Sequence, residues 1–169
     1  TLSEAHKLIP KFIKSKKIFL LPSSRIDRIL TPKWFEINNK LREDLSEILD
    51  DMRVGKNDFE INLMRRSANI SANAHIQAMK LTKPNKYEYE IEGEILNQFF
   101  RKGARNPAYS SIVASGINGC TLHYVENDSQ MKDGDLLLID AGCEVGSYAS
   151  DITRPFPVNG KFSFAQKEI

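Results

Sequence analysis

Two aspartates eleven residues apart, Asp140 and Asp151, are the residues whose type and spacing point most directly to chemistry. They lie in the stretch 135–154, which reads DLLLIDAGCEVGSYASDITR. Residues 136–141 form a short apolar run holding one acid, Asp140. Residues 148–153 read as a second strand, holding Asp151. Two such runs around a glycine-containing turn predict a β-hairpin. With Val145 and Gly146 as the loop, Glu144 faces Ser147 and Asp140 faces Asp151. Directly opposed residues share a face, with Cβ atoms about 4.5–5.5 Å apart. Two carboxylates so placed repel unless a proton or a cation sits between them, and Leu138, Ile139 and Ile152 supply a dry setting in which an unpaired charge is costly. Hard cations such as Mg, Ca and Mn suit carboxylate oxygens. A register slip of one residue turns one acid to the opposite face. The spacing alone therefore also fits two solvated, inert acids at loop ends.

Alternating helical and strand patterns surround this stretch and predict an α+β architecture. Ser3 can cap a first helix, whose apolar side includes His6, Leu8, Ile9, Phe12 and Ile13, and which Pro10 kinks or delays. Residues 18–21 read as a strand closed by Pro22. Thr31 and Pro32 start another helix, with Trp34, Phe35, Ile37 and Leu41 as its buried side. Leu45, Ile48, Leu49 and Met52 keep helical spacing. Gly55 breaks that pattern, and a domain boundary is expected there, between residues 1–55 and 56–169. Asn57 and Glu60 form a capping box. A long helix follows to about Lys80, with Ile61, Met64, Ala68, Ala72, His75 and Met79 as its stripe. His75 on that stripe reads as a packed core histidine, and His6 as a surface residue. Residues 87–102 predict a helix with Ile91, Ile95 and Phe99 inward and Gly103 as its C-terminal cap. Residues 109–114 read as a strand, 116–119 as a turn and 120–124 as a short extended piece. A further helix starts at the capping pair Ser163 and Gln166.

Of 169 residues, 41% are hydrophobic and 27% charged, with a formal net charge of +2. This balance predicts a soluble globular protein and argues against nucleic acid as the main partner, which needs clustered Lys and Arg. Lys11, Lys14, Lys16 and Lys17 read as the wet face of a helix. No apolar run approaches the roughly 18 residues of a membrane helix, and no signal peptide is recognisable. Cys120 and Cys143 read as reduced structural thiols of a cytoplasmic protein. The first residue is Thr1 rather than Met, so the natural N-terminus is expected to lie upstream.

The run LHYVENDSQMKDGDLLLIDAGCEVGSYASDITRPFPVNGKF resembles the metal-binding core of aminopeptidase P, in the pita-bread metallopeptidase family with prolidase, creatinase and methionine aminopeptidase. The likeness extends upstream through AYSSIVASGINGC to MRRSANISANAH, covering roughly the last two-thirds of the chain. MRVGKNDFEI resembles the family's junction between an N-terminal domain and the catalytic domain. The resemblance implies the first half of a pita-bread domain, preceded by the tail of an N-terminal creatinase/prolidase-like domain. It implies that Asp140 chelates one of two divalent metal ions, Mn by preference, and that Asp151 bridges both. The family's remaining ligands, a histidine and two glutamates, are expected beyond Ile169. A hydroxide shared by two metals would then attack the peptide bond at neutral pH.

By the same resemblance His123 is a catalytic and substrate-binding histidine that can hydrogen-bond the substrate carbonyl, and Tyr109 is a second substrate-binding residue, near the metal carboxylates. Thr153, two residues beyond Asp151, shares its face and can support that acid by a hydrogen bond. Arg154 is expected to pair with an acid on the other side, and Glu144 to be solvated. The implied activity is release of an N-terminal residue that precedes proline, in a homo-oligomer when the protein is full length, with this chain alone inactive. A prolidase-type dipeptidase and a non-catalytic pita-bread binding module are the alternatives. Both aspartates and His123 argue against the binding module.

Overall fold

A computed structural model of the chain describes residues 18–20 and 42–168. The helices expected from Ser3 and from Thr31 lie outside the described residues. The chain divides into two compact units, Thr1–Lys56 and Asn57–Ile169. In the first, β1 (Ile18–Leu20) pairs in parallel with β2 (Arg42–Asp44). The backbone N–H of Ser46 donates to Asp44 at the start of α1 (Ser46–Val54).

The second unit opens with the expected capping box. Asn57 Oδ1 accepts from the Glu60 N–H and Glu60 returns the bond to the Asn57 N–H, satisfying donors that a helix start leaves free. Helix α2 (Asp58–Leu81) runs 24 residues from there. Its buried stripe is not the expected one. Ser67, Ile70, Ser71, Ala74, His75 and Ala78 face inward, while Met64, Ala68, Ala72 and Met79 are exposed. The helix is turned toward its small and polar side because that side bonds the sheet. Ser67 Oγ donates to the Cys143 carbonyl at 2.7 Å, the Cys143 N–H donates to Ser71 Oγ at 3.0 Å, and Ser150 Oγ joins both serines. Small residues let helix and strand approach, and the hydroxyls are satisfied when buried.

Helix α3 (Glu88–Arg101) buries Ile91, Ile95 and Phe99 as expected, and Gly103 takes the left-handed conformation beyond its end. Six strands follow. β3 (Asn106–Pro107), β6 (Cys143–Val145) and β7 (Tyr148–Ala149) form one antiparallel sheet in the order β3-β6-β7. β4 (Ile112–Ser115), β5 (Leu136–Asp140) and β8 (Thr153–Pro157) form another in the order β4-β5-β8. The core joins Ile70, Ala74 and Ala78 of α2 and Ile91, Ile95 and Phe99 of α3 to Val113, Leu137, Ile139, Cys143 and Val145 of the strands. Two local expectations change. Tyr109 precedes β4 instead of starting it, and residues 121–123 turn instead of extending. The capping pair Ser163 and Gln166 forms, but starts only a short 3-10 turn, Ala165–Lys167.

Candidate functional site

The hairpin that carries the two acids differs from its expected register by two residues. Val145 pairs with Tyr148 and Glu144 with Ala149, so the loop is Gly146 and Ser147. Both take positive φ, 57° and 68°. A two-residue loop that matches the strand twist needs this at both central positions. A β-branched Val145 there would be strained, so the turn falls one residue later. Asp140 consequently opposes Thr153, and Asp151 lies between β7 and β8. The second strand is thus two pieces joined through residues 150–152. Continued through the gap, the same register sets Asp151 beside Gly142. A slip of two keeps the face, so Asp140 and Asp151 remain diagonal neighbours on one side of the ribbon.

Gly142 has a steric reason to be glycine. A Cβ there would lie 1.7 Å from the Ser150 carbonyl oxygen. The ribbon is pinched at that point and held by the bonds from the Ser150 N–H to the Cys143 carbonyl and from the Ala141 N–H to the Ile152 carbonyl. The Gly142 carbonyl also accepts from the Ala108 N–H at 2.9 Å, which docks the segment bearing Tyr109 onto the hairpin.

From there the Tyr109 hydroxyl reaches both acids, at 2.6 Å to Asp140 Oδ1 and 2.8 Å to Asp151 Oδ1. The carboxylates converge on one phenol. Burial first, and then the bonds to the two acids, push that phenol far above its ordinary range, so it stays protonated. A phenol has one proton and donates to one oxygen at a time. Two carboxylates therefore share a single donor, and no lysine or arginine is ion-paired with either acid among the described residues. This donor set suits a divalent cation, which would meet both acids at once. Only two acids converge, however. Among the described residues no group of three His, Cys, Asp or Glu is gathered for a metal.

Asp140 and Thr153 open into a cleft of about 330 Å³ that His123 also lines, with Ile112, Leu122 and Leu138 as apolar walls. His123 is exposed, with φ at 56°, and its ring makes no hydrogen bond among the described residues. Its side chain is free to meet a ligand in the cleft. Asp151 is exposed and faces an adjoining groove with Ile61, Met64 and Ala68. Thr153 stands directly across the ladder from Asp140, and among the described residues it makes no hydrogen bond to either acid. Arg154 is exposed and bonds the Thr153 carbonyl in place of the expected acid. Glu144 is half-buried within β6.

His75 is buried, as expected of a core residue. Its Nε2 lies 3.1 Å from the Ala141 carbonyl, directly after Asp140, and its Nδ1 has no partner among the described residues. Burial lowers its pKa, with Arg154 adding to the effect and the Ala141 bond and Asp140 opposing it.

One carboxylate escaped the sequence reading. Glu88, at the start of α3, has no exposed surface. The signal was available, since Glu88 sits in phase with Ile91 and Ile95 on the inward stripe. An acid in that phase must be paired.

Residues 62–169 match Peptidase_M24, metallopeptidase family M24. With that match over most of its length, the chain belongs to this family of metallopeptidases. Among its relatives are the Xaa-Pro aminopeptidase of Haemophilus influenzae, 57% identical over 132 residues, and that of Escherichia coli K12, 55% identical over 126. Each alignment covers 75% of this chain, but only 31% and 29% of the relative. Proline aminopeptidase P II from Yersinia pestis superposes with a TM-score of 0.88 at 41% identity, over 98% of this chain and 41% of that one. Zinc-substituted E. coli aminopeptidase P in complex with product gives 0.86 at 40% identity, over 100% of this chain and 41% of that one. The chain thus spans about a third of the length of those curated relatives, and its helices and sheets form part of a pita-bread domain.

Proposed function

We propose that this chain is the first half of the catalytic domain of a metal-dependent aminopeptidase that releases an N-terminal residue preceding proline. Residues 1–55 are the tail of a preceding domain, and residues 56–169 carry two of the metal ligands. The observation that carries the proposal is the convergence of Asp140 and Asp151 on one phenol, in a chain of family M24. The relatives named Xaa-Pro aminopeptidase favour this activity over a dipeptidase.

Asp140 and Asp151 would hold the metal, with Mn the preferred ion and Asp151 shared between two. When bound, divalent ions supply a hydroxide nucleophile at neutral pH and polarise the scissile carbonyl. The other roles belong to the protein's own side chains. Tyr109 fixes the two carboxylates relative to each other and keeps its proton. His123 reaches into the cleft beside Asp140, where an imidazole N–H can donate to the substrate carbonyl oxygen as it gains negative charge. Ile112, Leu122 and Leu138 present apolar surface to the substrate and exclude water. Thr153, opposite Asp140, lines the same cleft and restricts where a peptide can lie.

The test is hydrolysis. Carried on to the full length of its relatives and supplied with Mn, the protein should free the first residue of a peptide beginning Xaa-Pro. Asp151→Asn should lower kcat/KM by about a hundredfold or more, because a shared ligand is weakened at both ions. Near-normal turnover in that variant would overturn the two-ion reading.

A further inference from the structure

The buried Glu88 carboxylate accepts hydrogen bonds on both of its oxygens. Its Oε1 takes the Ser115 N–H at 2.6 Å, the Ser115 hydroxyl at 2.7 Å and Asn118 Nδ2 at 3.1 Å. Its Oε2 takes the Tyr124 hydroxyl at 2.8 Å and the Ser129 N–H at 3.0 Å. Asn118 links further to Tyr124 and to Ser129. Desolvation is the largest influence and opposes ionisation, but the bonds from Ser115, Ser129 and Tyr124 together outweigh it, so the pKa lies below the ordinary value. The start of a helix also favours an acid.

These donors belong to one loop. Ser115 and Ser129 are its two ends, and Tyr124 is its buried middle. A second anchor lies nearby. Asn127 accepts from the Val113 N–H and donates to the Ser111 carbonyl, both at 2.9 Å, so its amide replaces a missing strand neighbour of β4. His123 immediately precedes Tyr124, and its ring makes no hydrogen bond among the described residues. Its place in the cleft is therefore set by the backbone of this loop.

We propose that Glu88 is a positioning residue for His123: one buried carboxylate ties both ends and the middle of loop 115–129 and so fixes where the histidine enters the cleft beside Asp140. This rests on the role given to His123 above. Apart from one 3-10 turn, Gly116–Cys120, this loop is irregular, and a loop of that length needs such anchors to hold one conformation. Small misplacements of a substrate-contacting group cost large factors in rate. Glu88 does not line the cleft, and its bonds go to Ser115, Asn118, Tyr124 and Ser129 rather than to Asp140 or Asp151, so its influence passes through the loop.

A double-mutant cycle in the full-length protein separates positioning from general stability. Glu88→Gln keeps the volume but replaces one acceptor oxygen with a donor facing Tyr124 and Ser129. It should lower kcat/KM on an Xaa-Pro peptide about tenfold when His123 is present, and less than about twofold in a His123→Ala background, since coupled residues are not additive. Amide exchange of residues 116–129 should quicken while that of α2 stays unchanged. Equal losses in both backgrounds, or unchanged loop exchange, would overturn the proposal. Should Glu88→Gln fold poorly, Tyr124→Phe removes one donor and leaves the carboxylate, and the same two readouts apply. Should the native protein cleave no such peptide, the proposed activity falls by itself. Loop exchange in Glu88→Gln then still decides whether Glu88 anchors the residue-123 loop.

Discussion

Replacing Gly142 with alanine should unfasten the site at its narrowest point. The added Cβ would sit 1.7 Å from the Ser150 carbonyl oxygen and 2.6 Å from its carbon, where real contacts essentially never fall under 3.0 Å. The facing strand must retreat by more than about 1 Å, and backbone cannot swing aside as a flexible side chain can. Three hydrogen bonds depend on that spacing: Ser150 to Cys143, Ala141 to Ile152, and Ala108 to Gly142. At about 1 kcal/mol net for each, the expected loss of stability is about 3 kcal/mol. That is a large fraction of an ordinary domain's 5–15 kcal/mol or so. Urea denaturation of this chain followed by circular dichroism, at low micromolar concentration, measures it. Gly93→Ala is the control. Nothing lies within 4 Å of its added Cβ, and it sits inside α3. It should stabilise by about 0.5–1 kcal/mol through helix propensity. A Gly142→Ala protein within about 1 kcal/mol of native would refute the steric argument, and with it the claim that this pinch sets the place of Asp151.

Tyr109→Phe removes the donor shared by the two carboxylates and should cost the metal-free protein about 1–2 kcal/mol. The cost should shrink when millimolar Mn replaces EDTA in the same denaturation assay, and an equal loss in both would argue against a cation between the acids. Acid should destabilise the chain in two stages. Folded His75 binds its proton more weakly than an unfolded histidine, so its contribution is present above its ordinary 6.5 and is lost as pH falls through its lowered value. Folded Glu88 is likewise depressed, so its contribution is present above 4.5 and is lost at lower pH. Denaturation midpoints against pH should show both limbs, and His75→Leu should flatten the upper one. This chain by itself should bind Mn more weakly than micromolar and should self-associate, because it gathers two ligands and exposes apolar side chains such as Phe59, Met64 and Ile76. Titration calorimetry and light scattering check this, and a monodisperse monomer with tight Mn binding would contradict it.

Much of the fold follows local rules that a sequence displays openly. The Asn57–Glu60 cap, the stripe Ile91, Ile95, Phe99 and the end at Gly103 all appear as their spacing predicts. The two acids were legible as a pair, but their register was not. It depended on which two residues accept positive φ, and Gly146–Ser147 does so more cheaply than Val145–Gly146. The inner face of helix α2 does not follow hydrophobicity: Met64 and Met79 are exposed while two serines are buried. Ser67 and Ser71 are buried because Cys143 and Ser150 satisfy them, and those partners lie some eighty residues away in the chain. The reach of Tyr109 to both acids is likewise a matter of tertiary docking, through the bond from Ala108 to Gly142. Glu88 was legible in part, as an acid on an apolar stripe, but its donors from Ser115 to Ser129 were not.

Anomalous diffraction at the Mn absorption edge, from crystals of the full-length protein, tests the central claim most directly. The account predicts two Mn peaks, both within bonding distance of the Asp151 carboxylate and one of them also held by Asp140. Crystals of active protein with no Mn peak at these two acids would contradict it.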